Sequence, residues 1–233
     1  MVGCSVDGTF VNNISYADDM VLLAPSVNAL NKMLSICEQY AKAHGLKYNT
    51  SKSVMLVFKA GTKRYPRVPP AKLDNTPLSI VKEFKYLGHW VTESLSDDKD
   101  VERERRALAV RSNMLIRRFA RCTKEAKVTL FKAYCQSFYT CSLWINYTLR
   151  ALSALRVQYN NSFRMLLGLP RHCSASGMFC ERRTDGFHAI IRKRVASLVR
   201  RLRGSPNSLL QTVAERLDGP FQLHWDKLHR ASN

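Results

Sequence analysis

The sequence predicts an α+β fold: antiparallel strands with a packed helix over residues 1–96, followed by a strongly basic, all-helical body. Three observations carry this. Up to Val91, short apolar runs alternate with turn signals, the pattern of strands and hairpins. From Asp97 onward, apolar residues recur at helical spacing over long stretches. The net charge of +19 is also concentrated, because residues 99–203 hold 23 Lys and Arg against 6 Asp and Glu.

Taken in order, Asp7-Gly8 between Cys4–Val6 and Thr9–Val11 is a tight-turn signal and predicts a first hairpin. Val11, Ile14 and Tyr16 lead into Ala17-Asp18-Asp19, and Met20 to Ala24 follow as a second strand, apolar enough to lie in a sheet covered on both faces. Ser26 is a suitable N-cap, Leu30, Met33, Leu34, Cys37, Tyr40 and Ala41 form a helical stripe, and Gly45 suits the position just past its end. Val54–Phe58 reads as a strand. Residues 59–77, with Gly61 and four prolines among basic residues, read as a loop. Phe84–Val91 gives two apolar stretches around Gly88, a further hairpin.

The helical half shows four stripes: Val101, Leu108, Leu115 and Phe119; Val128, Phe131, Cys135 and Phe138; Leu152, Leu155, Tyr159, Phe163 and Leu166; and Ile191, Val195, Leu198 and Leu202. The first three predict a small bundle. Gly168-Leu169-Pro170 ends the third helix, and residues 170–187 read as a loop. His172, Cys173 and Cys180 there, with His188 at its far edge, match no compact zinc spacing. Ser205-Pro206 is expected to cap a last helix containing Leu209, Leu210, Val213 and Leu217.

Composition bounds the function. A 45% hydrophobic content suffices for a buried core, and seven cysteines without regular spacing argue for reduced thiols. No apolar run approaches the length of a membrane span, and the N-terminus lacks a secretory pattern. The chain is therefore expected inside the cell, in nucleus or cytoplasm. Its concentrated positive field suits a polyanionic partner, nucleic acid above all, with a merely solvated basic face as the bland alternative. Arg103, Arg105, Arg106, Arg111, Arg117, Arg118 and Arg121 lie largely off the first stripe and suit phosphate contacts.

Two adjacent carboxylates reach one site only at a hairpin tip or a local distortion, since neighbouring strand residues point to opposite faces. There, Asp18 and Asp19 are hard oxygen ligands of the kind Mg²⁺ takes, together with substrate phosphates. An Asp-Asp pair is also a common solvated turn. Tyr16-Ala17-Asp18-Asp19 before an apolar strand resembles the catalytic hairpin in the palm of reverse transcriptases, and Ala24-Pro25-Ser26 resembles the non-LTR (LINE-type) retrotransposon branch. Gly45-Leu46, Asn49 and Lys52-Ser53, one helix later, are similar to a segment of that family, and Tyr86-Leu87-Gly88 resembles its primer grip.

The resemblance implies an RNA-directed DNA polymerase segment. Asp18 and Asp19 would be the catalytic metal ligands and Lys52 would neutralise or protonate departing pyrophosphate. Tyr16, Ala17, Tyr86, Leu87 and Gly88 would line the nucleic acid, and the helical bundle with Arg111, Arg117 and Arg118 would be the thumb. It divides the chain into a partial palm (1–96), a thumb-like domain (97–170) and a basic helical extension (171–233). Partners would be an RNA template and DNA primer or their hybrid, with dNTP only in a completed enzyme. The family's palm has a further metal-binding aspartate well upstream, and only 17 residues precede Asp18. The chain thus reads as the C-terminal part of such a polymerase, truncated and inactive alone. A non-catalytic RNA- or DNA-binding module, or a subunit whose fingers come from a second polypeptide, stands beside that reading.

Overall fold

The computed structural model describes residues 2–58, 68–216 and 218–230. They form an α+β fold in two compact units that interleave in sequence. One comprises the described residues of Met1–Lys85, Thr92–Leu95 and Ser205–Glu215; the other comprises Tyr86–Val91, Ser96–Gly204 and the described residues of Arg216–Asn233.

In the first unit, β1 (Cys4–Val6) and β2 (Thr9–Val11) pair antiparallel around Asp7-Gly8, both of positive φ. That is the turn whose twist matches a hairpin. Next, β3 (Asn13–Tyr16) pairs antiparallel with β4 (Asp19–Leu22), Tyr16 opposite Asp19. Helix α1 (Val27–Ala43) starts at Ser26, whose side chain accepts from Ala29 N at 3.2 Å. It ends in a left-handed Gly45, with Leu46 N donating to Ala41 O and Gly45 N to Lys42 O. These two hydrogen bonds satisfy the Ala41 and Lys42 carbonyls at the helix end.

Strand β5 (Val54–Leu56) pairs in parallel with β8 (Ser79–Val81). Between them β6 (Lys72–Leu73) and β7 (Thr76–Pro77) form a small hairpin, so the expected loop over 59–77 is corrected for residues 72–77; residues 59–67 lie outside the described residues. Its Asp74-Asn75 turn has positive φ at both positions, which Asp and Asn tolerate. Lys72 N donates to Asn31 Oδ1 and Asp74 N to Glu38 Oε1, which fastens the hairpin to α1. Leu34, Met55, Ala71, Leu73 and Leu78 make the buried core here, with Leu22 packed against it.

The expectation that Met20–Ala24 lies in a doubly covered sheet is not met. Strands β3 and β4 pair with each other alone among the described residues, and Ile14, Tyr16 and Met20 are 46%, 66% and 38% exposed. A two-stranded ribbon has too few neighbours to bury both faces.

The next hairpin, β9 (Glu83–Tyr86) and β10 (His89–Thr92), turns at Leu87-Gly88, and its tip belongs to the second unit. Helix α2 (Asp98–Arg118) buries Val101, Leu108 and Leu115, one residue every two turns. It lies against α4 (Leu149–Leu167), where Ser112 and Ser162 hydroxyls meet at 3.0 Å in the core. Helix α3 (Lys124–Cys135), a short 3-10 turn (Cys141–Leu143), α5 (Ala175–Glu181) and α6 (Phe187–Arg203) close around them. Thr123, Thr148 and Ser174 cap α3, α4 and α5 through their hydroxyls.

The stripes expected from the sequence supply most of this core. Phe131, Phe138, Tyr159, Phe163, Phe179 and Phe187 form an aromatic cluster with ring centroids 4.8–6.3 Å apart, most of them tilted or edge-to-face. Each such aromatic pair adds about 0.5–1.5 kcal/mol beyond its area burial. Helix α5 corrects the loop expected over 170–187: Met178 and Phe179 are buried from one turn of it. Helix α7 (Ser208–Glu215) belongs to the first unit, where Thr212 Oγ1 lies 3.2 Å from Thr9 Oγ1. Its cap is Asn207, whose Oδ1 accepts from Leu210 N, rather than the expected Ser205-Pro206; Leu217 lies outside the described residues. A further helix, α8 (Pro220–Arg230), packs on α6 and buries Trp225.

Candidate functional site

A two-residue loop joins β3 to β4, with Ala17 in the left-handed region (φ 53°) and Asp18 following it. Asp18 therefore occupies the tip and Asp19 the first rung, and the turn brings both carboxylates to one end of the ribbon. Both are exposed, and neither makes an ion pair or side-chain hydrogen bond among the described residues. Tyr16, across the rung from Asp19, is exposed as well. Two hard, unpaired oxygen donors suit Mg²⁺ in kind, because Mg²⁺ keeps several waters and takes one or two carboxylates plus substrate phosphates. Among the described residues no third His, Cys, Asp or Glu joins them.

Lys52 lies in an exposed turn led by Asn49, which accepts from Lys52 N and Ser51 Oγ. Its ammonium has no partner among the described residues, and the structure shows no contact between it and either aspartate.

The tip of the β9–β10 hairpin is occupied by the chain itself. Gly88 (φ 84°) leaves room for a close approach, and the group that approaches is the Tyr139 ring: a Cβ on Gly88 would meet Tyr139 Cε1 at 3.0 Å. Tyr139 Oη donates to Leu87 O at 2.9 Å. Behind the tip, Lys99 Nζ stands 3.6 Å over the Trp90 ring.

Asp100 is the centre of this arrangement. Fully buried, it accepts from Trp90 N (3.2 Å), Thr140 Oγ1 (2.6 Å), Trp144 Nε1 (2.8 Å) and Arg103 Nε (2.8 Å). His89 Nδ1 lies 3.1 Å from its Oδ2, out of line for a hydrogen bond. Burial pushes the Asp100 pKa up, but His89, Arg103, Thr140 and Trp144 together outweigh it and hold the carboxyl well below its ordinary range. Asp97, three residues earlier, goes the other way: burial raises it in spite of the Ile145 and Asn146 amides donating to its Oδ2. Sequence reasoning missed Asp97, Asp100, Tyr139 and Thr140. The available signal was Asp100 and Glu104 set at helical spacing beside Val101 and Leu108, where a solvated acid has no place.

The arginines of α2 divide. Arg103 is shared between Asp100 and Glu104, Arg105 and Arg106 pair with Glu102, and Arg111 pairs with the buried Glu104. Arg111 is thus held in the protein instead of standing free for phosphate. Arg117, Arg118 and Arg121 are exposed and without side-chain partners among the described residues. No helix among the described residues is long and apolar enough to cross a membrane.

Residues 7–91, which contain both hairpin tips and Lys52, match the family described as reverse transcriptase (RNA-dependent DNA polymerase). The chain is 33% identical over 108 residues to an uncharacterized transposon-derived protein of Caenorhabditis elegans. That alignment covers 44% of this chain and 36% of the relative, so the chain spans little more than a third of the relative's length. With its aspartate pair at a hairpin tip, the segment 7–91 is similar to reverse transcriptase domains, in a chain that has a transposon-derived relative.

Proposed function

We propose that this chain is part of a non-LTR retrotransposon reverse transcriptase that grips a template–primer duplex and does not, by itself, extend it. The observation that carries the reading is the placement of Asp18 and Asp19 at the tip of a tight hairpin inside the matched segment. Residues 1–96 are read as the back of a polymerase palm, 97–170 as a thumb-like body and 171–233 as a basic extension of it.

Asp18 and Asp19 would hold Mg²⁺, which when bound neutralises charge on a phosphate at that tip. Lys52, Tyr16 and Ala17 are read as residues that meet nucleotide, and, separately, Tyr86, Leu87 and Gly88 as a primer grip that opens only when Tyr139 leaves its tip. Among the described residues two carboxylates come together where a two-metal site needs more, and without a further ligand the orientation of the reactants, worth several powers of ten in rate, is not supplied. A second polypeptide carrying fingers and a further aspartate would restore it; the exposed Ile14, Tyr16 and Met20 favour that completion.

A non-catalytic RNA- or DNA-binding role is favoured by one observation of its own, that Arg117, Arg118 and Arg121 are exposed and without side-chain partners among the described residues. Primer extension on an RNA template with Mg²⁺ separates the readings, run beside duplex binding over a range of salt. The expected result is no extension by the wild type or by Asp18→Asn/Asp19→Asn, with tight salt-dependent binding by both. Neutralising Arg117 and Arg118 should flatten the slope of log affinity against log salt by about 2. Extension by the wild type that the aspartate changes abolish would make the chain an enzyme in its own right. Binding with no salt dependence would remove the gripping role.

A further inference from the structure

Helices α6 and α8 of the second unit border an open groove of about 420 Å³ lined by Ala196, Val199, Arg200, Arg203, Gln222, Trp225 and Asp226. The volume lies within the range of about 300–1,000 Å³ usual for small-molecule sites. We propose that this cleft binds a nucleoside monophosphate whose base carries an exocyclic amine, with AMP as the best fit. The residues involved lie outside the matched segment 7–91, and the proposal does not depend on the polymerase reading.

The chemistry of the lining narrows the ligand step by step. Arg200 and Arg203 sit one turn apart on α6, and neither guanidinium has a side-chain partner among the described residues. Free guanidiniums that share a cleft suit a phosphate, which they bind through paired N–H donors. Asp226 lines the same cleft and forms no ion pair with either arginine; Gln222 donates to its Oδ1, and a simple anion would leave Oδ2 without a donor among the described residues. A ligand that satisfies both ends carries an anion at one and an N–H donor at the other. Ala196, Val199 and the Trp225 ring supply apolar lining for a flat body between them.

One further group points the same way. Gln222, nearly buried, donates to Asp226 Oδ1 at 3.2 Å, so an amide and a carboxylate stand side by side. Amide and carboxylate side chains are the ones that read amino-bearing base edges: Gln pairs with adenine, and Asp accepts from an exocyclic amine.

Calorimetric titration of the full chain with AMP, UMP, adenosine and inorganic phosphate tests this. AMP is expected to saturate one site, with the other three weaker by about tenfold or more, the worth of one charge-assisted hydrogen bond. Arg200→Gln/Arg203→Gln changes two exposed side chains at the end of a helix and should leave the circular dichroism spectrum unaltered. It should weaken AMP by about tenfold or more and leave adenosine unchanged. Asp226→Asn should narrow the gap between AMP and UMP. AMP binding no tighter than inorganic phosphate, or indifferent to the double arginine change, would overturn the proposal. The duplex-binding reading is judged separately, because Arg117 and Arg118 are not among the residues lining this cleft.

Discussion

Replacing Asp100 by Asn keeps the side chain's size and removes its charge, so it isolates the buried carboxylate from the packing around it. Asp100 accepts from Trp90 N, Thr140 Oγ1, Trp144 Nε1 and Arg103, and has no exposed surface through which water could compensate. An amide has one acceptor oxygen, and its NH₂ must face one of these donors. Hydrogen bonds to a charged group contribute about 1.5–3 kcal/mol each, and breaking a buried pair from one side costs about 3–5 kcal/mol. The expected loss is therefore about 3–5 kcal/mol, read as a shift in urea midpoint by circular dichroism at pH 7.

The pH dependence gives the reasoning a second exposure. Asp100 has a lowered folded pKa, so its contribution is complete above the ordinary carboxylate value of about 3.9 and is lost as pH falls through the folded value. Asp97 has a raised one, so its contribution is present below that ordinary value and is lost as pH rises through the folded pKa. Wild type should thus lose stability in acid through Asp100. In Asp100→Asn that branch is gone, Asp97 alone tilts the curve the opposite way, and the gap between the proteins narrows on acidification. A loss under about 1 kcal/mol at pH 7, or a gap that does not narrow, would refute the account of Asp100 as a charged hub.

Three other outcomes follow from the same structure. Gly88→Ala must hold an alanine at φ 84° with its Cβ 3.0 Å from the Tyr139 ring, and should cost about 1–2 kcal/mol, seen as faster amide exchange over residues 86–91. Asp18→Asn/Asp19→Asn removes two exposed, unpartnered charges and should shift the stability by no more than about 0.5 kcal/mol in a urea titration. Burial pushes the Cys135 and Cys141 thiols up to about 12, so at pH 8 a thiol reagent should modify exposed Cys122 and Cys180 quickly and reach the buried pair only on unfolding.

Much of this fold is written in local chemistry. Asp7-Gly8 and Leu87-Gly88 demand turns with positive φ, Ser26 and Gly45 bracket α1, and Val101, Leu108 and Leu115 align on one side of α2 because seven residues are nearly two turns. What escaped the sequence depends on distant partners. Nothing within Val54–Leu56 specifies a parallel neighbour at Ser79–Val81. The prolines around Lys72–Pro77 masked a hairpin whose turn is Asp74-Asn75, and α5, seven residues long, is too short to show a helical period. Asp18 and Asp19 were legible because their hairpin is local. Tyr139 at the tip of a hairpin more than forty residues earlier, and Arg111 held by Glu104, were not, since each depends on how the chain closes on itself.

The bare ribbon of β3 and β4 also governs how the protein behaves at high concentration. Its outer backbone groups have no strand beside them among the described residues, and Ile14, Tyr16 and Met20 lie exposed along it, the features that let one chain zip onto another. A net charge of +19 keeps molecules apart at low ionic strength. Added salt shortens the reach of that repulsion to about 8 Å at 0.15 M and about 3 Å at 1 M, and leaves the edges free to meet. The chain should consequently stay monodisperse in dilute buffer and associate as salt rises, the reverse of a protein held together by its charges.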